Sequence, residues 1–239
     1  MKPHAVIPPV SEDRLAAVFK AYDVRGLSPE ELDEPMARAI GAAFARYTKA
    51  TSIAMGRDMR SSGEGLSAAF AEGVTSLSVD VVDIGLASTD LLYFASGHLG
   101  TPAVMLTASH NPAAYNGMKF CNSGAQAIGA ETGLDQICLL AAQPAISADE
   151  RGQTRQIDLL DRFVEHVHSF VNLDALRPLR VIADTANGMG GHVLPATFAG
   201  LPLQLELLYG ELDGSFPNHP ADPIPVSYTH LTLPTSDLV

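Results

Sequence analysis

Residues 52–84 read SIAMGRDMRSSGEGLSAAFAEGVTSLSVDVVDI. The stretch opens on a short apolar segment, Ser52 to Met55, which Gly56-Arg57-Asp58 brings to an end. Leu66, Phe70, Val74 and Leu77 then recur every three or four residues, a spacing that lines one face of a helix with apolar side chains. Val79 to Ile84 follows, rich in β-branched residues that suit a pleated surface, and reads as a strand. Strand, helix and strand in succession predict an α/β layered sheet.

The same alternation continues on both sides. Upstream, Ser28-Pro29-Glu30-Glu31 has the composition of an N-cap, a first-turn proline and a capping-box glutamate, with Leu32, Met36, Ile40, Ala43, Phe44 and Tyr47 at helical spacing behind it. Downstream, the pattern predicts a helix near Thr89 to His98, a strand from Ala103 to Leu106, a polar turn, a strand around Met118 to Cys121 and a helix from Glu131 to Leu140. Gln143 to Thr154 is polar, carries Pro144 and Gly152, and reads as a linker. Leu160, Phe163, Val164 and Val167 mark a further helix.

Leu179 to Ala183, His192 to Ala199 and Leu203 to Leu208 then predict a strand, a helix and a strand, with a glycine-bearing turn from Asp184 to Gly191. One such unit cannot cover both faces of a parallel sheet. The expected organisation is a layered α/β/α domain with a mixed sheet over residues 1–150, an incomplete second α/β domain over 151–225, and an atypical tail over 226–239.

Composition narrows the function classes. The 239 residues are 46% hydrophobic and 18% charged, an ordinary globular balance. Fifteen basic against twenty-seven acidic residues give a net charge of −12, which opposes the phosphate attraction that nucleic-acid and anionic-membrane binders use. Neither partner is expected, although one local cationic pocket can still take a small anion. Cys121 and Cys138 are too few for a disulfide framework and read as small buried or half-buried side chains in a reducing, cytoplasmic setting. Met1 to Val10 has no apolar signal core, and no run approaches membrane-spanning length.

The chemistry concentrates in Thr107-Ala108-Ser109-His110-Asn111-Pro112, just past an apolar strand, where α/β sheets place ligand-binding loops. A hydroxyl beside an imidazole is a nucleophile next to a proton acceptor, though a Ser-His pair in a polar turn is by itself far more often bland than catalytic. The loop, with Tyr115-Asn116-Gly117-Met118-Lys119 after it, resembles the phosphoserine loop of the α-D-phosphohexomutase family. Lys20-Ala21-Tyr22-Asp23-Val24-Arg25-Gly26 and Gly56-Arg57-Asp58-Met59-Arg60-Ser61-Ser62 resemble that family's first two motifs. Asp184 to Gly190 and Gly214 to Pro220 are similar to stretches of its second domain. Tyr115 favours the phosphomannomutase/phosphoglucomutase branch over the phosphoglucosamine branch, which usually has an acidic residue there.

The resemblance implies reversible phosphoryl transfer between the 1- and 6-positions of mannose or glucose phosphates, through a phosphoserine and a bisphosphate intermediate. It makes Ser109 the phosphoryl carrier, His110 and Lys119 the residues for proton transfer and charge neutralisation, and Tyr22 and Arg25 contacts to substrate or phosphate. Arg57 and Asp58 are expected to pair and brace the loop. The family's Mg²⁺ is held by the phosphoserine, here Ser109, and a run of alternating aspartates; this chain has no Asp-x-Asp-x-Asp. The match fades after Asp222-Pro223, so a truncated chain, silent by itself or a weak phosphosugar-binding module, is the alternative expectation. A serine hydrolase is disfavoured, because there is no G-x-S-x-G elbow and neighbouring side chains on an extended loop point apart.

Overall fold

The structure is a computed structural model that describes residues 5–223; the atypical tail expected at 226–239 lies outside the described residues. In chain order its elements are β1 (Val6–Ile7), α1 (Glu12–Val18), β2 (Val24–Leu27), α2 (Glu34–Thr48), β3 (Ser52–Arg57), α3 (Gly63–Thr75), β4 (Asp80–Leu86), α4 (Thr89–Leu99) and β5 (Ala103–Leu106). Then come β6 (Tyr115–Asn122), β7 (Gln126–Ile128), α5 (Leu134–Ala141), β8 (Ala145–Ile146), β9 (Thr154–Gln156), α6 (Leu160–His168), β10 (Leu179–Asp184), α7 (Gly190–Phe198) and β11 (Leu203–Leu208).

Seven strands form the main sheet in the order β2-β6-β5-β3-β4-β9, with β7 paired to β6. The β5-β3-β4-β9 run is parallel, as strand-helix-strand connections require, and the β2-β6 and β6-β5 pairs are antiparallel. Alternation along each strand feeds two cores. Met55, Val104, Leu106 and Phe120 point into the face covered by α2, α3 and α5, where the rings of Phe44, Phe70 and Phe120 meet at centroid distances of 4.8 to 6.4 Å. Ala54, Met105 and Cys121 point to the other face, against Leu91 and Leu92 of α4 and Phe163 of α6. The domain is therefore a three-layer α/β/α structure with a mixed sheet. Among the described residues no helix is long and apolar enough to cross a membrane.

Three sequence expectations need correction. The α2 helix begins at Glu34, not at Pro29: Asp33 Oδ1 accepts from the Met36 amide at 2.9 Å and Pro35 sits in the first turn. Glu31 instead closes a turn, its carboxylate accepting from the Leu27 amide at 2.8 Å, so the capping-box glutamate caps the wrong element. The helix expected from Glu131 is broken by Gly133, whose φ of +138° separates a short 3₁₀ turn from α5. The stretch expected as a linker is fastened to the main body. Within it β8 pairs with β1, the Gly152 amide donates to the Thr75 carbonyl at 2.8 Å, and Thr154 at its end opens β9, which extends the sheet beside β4. An edge strand is fixed by backbone bonds while its side chains stay in water, so its polarity imitates a loop.

Beyond α6, β10 and β11 pair in parallel with Leu179 opposite Leu203, and α7 connects them. This is the strand-helix-strand unit the pattern predicts, and α7 packs on α6.

Candidate active site

β2 and β6 run antiparallel with Arg25 opposite Gly117 and Val24 opposite Met118. Side chains two residues apart share a face, so Asp23, Arg25 and Lys119 all stand on the same side of the sheet. There the Lys119 ammonium donates to Asp23 Oδ2 at 2.9 Å, and the Arg25 guanidinium donates to the same oxygen. Two cations on one carboxylate leave a positive charge unneutralised. Arg25 Nε is buried and has no hydrogen-bond partner among the described residues. Gly117 allows this approach of strands: a Cβ there would meet the Val24 carbonyl oxygen at 2.2 Å.

The loop after β5 is held from beneath. Thr107 Oγ1 donates to Asp58 Oδ2 at 2.6 Å and accepts from the Ser109 amide at 2.9 Å. Arg60, 1% exposed, uses all five of its N–H donors. Nε donates to Asp58 Oδ2 at 3.1 Å, one terminal nitrogen to the carbonyls of Pro112 and Tyr115, and the other to those of Ser109 and Asn111, these four at 2.8 to 2.9 Å. Burial pulls the guanidinium's pKa down, Asp58 pushes it back up, and nearby Arg25 adds to the downward pull. Asn116, fully buried, ties the far end of the loop to Ser62 Oγ at 2.9 Å.

Within this frame Ser109 takes a φ of +54°, a left-handed conformation that serine rarely adopts and that surrounding bonds must enforce. The bend brings Ser109 Oγ to 3.3 Å from His110 Nδ1. The expectation that these neighbours point apart is thereby overturned, since it assumed an extended loop. Both residues are exposed and open on a cleft of 350 Å³ whose opposite wall is Thr185, Gly188, Met189 and Phe216 of the strand-helix-strand unit. A larger cavity of 720 Å³ lies between α4 and α6, walled by Phe94, Phe163 and Phe170. Ser109 and His110, with Asp58 and Thr107 beneath them, line the smaller one, and the chemistry of the lining marks a site better than volume does.

The structure thus brings Arg25 together with Lys119, and Ser109 together with His110, while Tyr22 stands 80% exposed. The expected Arg57–Asp58 brace is replaced by Asp58–Arg60, because Arg60 lies two residues on and turns inward beneath the loop. Sequence reasoning missed Asp23, Arg60 and Thr107 as site-forming residues. The alternation Asp23-x-Arg25 on a strand was the available signal for the first; nothing local marked Arg60 as buried.

The donor set does not suit a divalent cation. Asp58 is committed to Arg60 and Thr107, and Asp23 to Arg25 and Lys119. Among the described residues no group of three or more His, Cys, Asp or Glu side chains is placed to hold a metal ion.

Residues 16–142 match the family model described as phosphoglucomutase/phosphomannomutase, alpha/beta/alpha domain I. The chain is 40% identical over 215 residues to a phosphomannomutase of Escherichia coli, covering 86% of this chain and 48% of that protein. It is 36% identical over 208 residues to a protein of Xanthomonas campestris pv. campestris named as phosphohexose mutases, covering 86% and 46%. A crystal structure of a phosphoglucomutase/phosphomannomutase family protein from Burkholderia thailandensis superposes with a TM-score of 0.75 at 33% identity, over 88% of this chain and 47% of that one. The chain spans about half the length of the curated relatives it matches.

Proposed function

This chain belongs to the phosphoglucomutase/phosphomannomutase family, and from that premise we propose that Ser109 is the hydroxyl through which it moves a phosphoryl group between the 1- and 6-positions of a hexose phosphate. The observation that carries the reading is the way Ser109 is presented: exposed on a cleft, on a left-handed residue, in a loop whose carbonyls a buried guanidinium grips. Preorganised positioning of this kind is the main protein contribution to phosphoryl transfer.

In the forward step a sugar hydroxyl oxygen bonds to the phosphorus of phospho-Ser109 as the bond from phosphorus to Ser109 Oγ breaks. The hydroxyl's proton passes to a base, for which His110 stands 3.3 Å from Ser109 Oγ, and the protonated imidazole returns a proton to the departing Ser109 Oγ. The bisphosphate so formed turns over, and the reverse chemistry at its other phosphate restores phospho-Ser109. Arg25 and Lys119 offset the negative charge on the phosphoryl oxygens, and Tyr22 reaches for the sugar from the surface. Mannose and glucose phosphates are the proposed substrates, with glucosamine phosphate as runner-up.

Mg²⁺ belongs to the chemistry proposed for the family, and phospho-Ser109 would supply oxygen ligands to it. The carboxylates among the described residues do not complete a site for it. The same fact favours a second reading, in which this chain accepts and binds phosphate without turning over.

Intact-mass measurement after incubation with glucose 1,6-bisphosphate and Mg²⁺ tests the assignment. Gain of one phosphoryl group by the wild type and none by Ser109→Ala is the expected outcome; equal labelling of both proteins removes Ser109 from its role. Isomerisation of mannose 1-phosphate by the same preparation would dispose of the second reading.

A further inference from the structure

Phe216 has a φ of +53°, a left-handed conformation that a bulky aromatic residue almost never takes without compensation. Its ring lies over the Arg60 guanidinium, with Arg60 Cζ 5.2 Å from the ring centroid. Two residues earlier the backbones nearly touch: a Cβ on Gly214 would meet Arg60 Cα at 2.7 Å and the Met59 carbonyl oxygen at 2.9 Å. The segment 214–216 is therefore laid directly on the buried cation that holds the Ser109 loop.

Asn187 anchors that segment to the strand-helix-strand unit. It is 3% exposed, its amide donates to the Tyr209 carbonyl at 2.9 Å, and its side chain donates to the Glu211 carbonyl at 3.0 Å. Its carbonyl accepts from the Asp213 amide at 3.0 Å, and its Oδ1 accepts from Asn218 Nδ2 at 2.8 Å. A continuous path of bonds and contacts runs from Asn187 through Phe216 and Arg60 to the carbonyls of Ser109, Asn111, Pro112 and Tyr115.

We propose that Phe216 is a positioning residue for the Ser109 loop: its ring seals the Arg60 guanidinium from water and so lets the second unit govern the conformation of a loop it does not contain. All five Arg60 donors are already used, so water reaching the guanidinium competes with the loop carbonyls for the same N–H groups. An aromatic face satisfies the cation without competing for any of them. The inference deepens the phosphoryl-carrier reading and rests on it only for the second of two readouts.

The first readout is amide hydrogen exchange of the peptide spanning residues 107–116 in the 239-residue chain, which needs no catalysis. Phe216→Ala is expected to speed exchange of that peptide by roughly fivefold, the scale of a partly desolvated cation–π contact, and to leave α2 unchanged. Phe216→Tyr, which keeps the ring, is expected to restore wild-type exchange. Gly214→Ala, which lifts the segment off Arg60 without removing the ring, is expected to act like Phe216→Ala. Unchanged exchange in the loop of both disruptive variants overturns the proposal, as does an equal rise across α2. The second readout is the rate of phosphoryl uptake from glucose 1,6-bisphosphate, expected to fall in Phe216→Ala and recover in Phe216→Tyr. Loop exchange that responds in both disruptive variants while wild type and Ser109→Ala take up phosphoryl equally would defeat the Ser109 assignment and leave the positioning role standing.

Discussion

The main sheet with its two helical layers and the strand-helix-strand unit beyond α6 are built from the same kinds of element, yet they are stabilised differently. In the first, whole side chains vanish: Phe44, Phe70, Leu92 and Val104 are all 0% exposed. In the second, among the described residues, no hydrophobic side chain beyond Phe163 is buried, and Asn187 is the one buried residue. What holds it is a polar knot around Asn187, the parallel β10–β11 ladder and its seat against Arg60 and α6. Among the described residues no side chain of β10 or β11 is fully buried, so area burial does less there than in the main sheet.

The largest effect that would sharpen this contrast is a paired truncation. Phe44→Ala removes a ring packed against Phe70 and Phe120 and should cost about 3–5 kcal/mol in urea unfolding. Leu205→Ala, in the middle of β11 and only half buried, should cost about 1 kcal/mol. Comparable losses at the two positions would break the comparison, because they would mean that the second unit carries a core of its own.

Arg60→Lys probes the seam between the two regions. An ammonium offers three donors from one point, so it cannot reach an aspartate and four carbonyls spread along the loop. At least two buried acceptors lose their partner, and the expected cost is about 2–3 kcal/mol. The loss should be read locally: proteolysis or hydrogen exchange should increase in residues 107–116 and 211–218 while α2 and α3 stay protected. A uniform loss of protection would place Arg60 in the global core instead, and no change would show that the loop holds itself.

The difference between the regions also explains what the sequence made legible. Val79 to Ile84, Ala103 to Leu106 and Leu203 to Leu208 were readable because apolar runs bounded by turn residues map directly onto strands, and Ala103–Leu106 and Leu203–Leu208 agree with the structure to the residue. The elements α1, β1, β8 and β9 were not readable, because short or edge elements are fixed by backbone pairing that leaves no period in the side chains. The site divided in the same way. The motifs around Ser109 and Arg25 could be recognised as strings, but the inward turn of Arg60 depends on contacts across 49 to 55 residues of sequence. The left-handed turn at Ser109 is likewise imposed from Asp58 through Thr107, not from the serine's own neighbours.

The smallest expected effect tests whether polar ties really do support the second unit. His219 Nε2 lies 3.0 Å from both carboxylate oxygens of Asp184, and Nδ1 lies 2.8 Å from the Pro220 carbonyl oxygen. Both neighbours are acceptors, and only the protonated imidazole has a donor for each. Partial burial, the largest single influence, lowers the pKa, but the Pro220 carbonyl and Asp184 together outweigh it and the net displacement is upward from the ordinary 6.5. A raised folded value means that the stabilisation is complete below the unfolded value and is lost as pH rises through the folded one. The wild type should therefore lose stability in the β10–β11 unit as pH rises from below the ordinary 6.5 through the raised folded value, by less than about 1 kcal/mol for a partly exposed pair. His219→Gln should remove that dependence and leave unfolding of the main sheet unaltered. A wild-type minus variant difference that stays flat, or that grows with pH, would show that the His219–Asp184 tie does not support the unit, and the contrast between buried and tied regions would then rest on the bonds of Asn187.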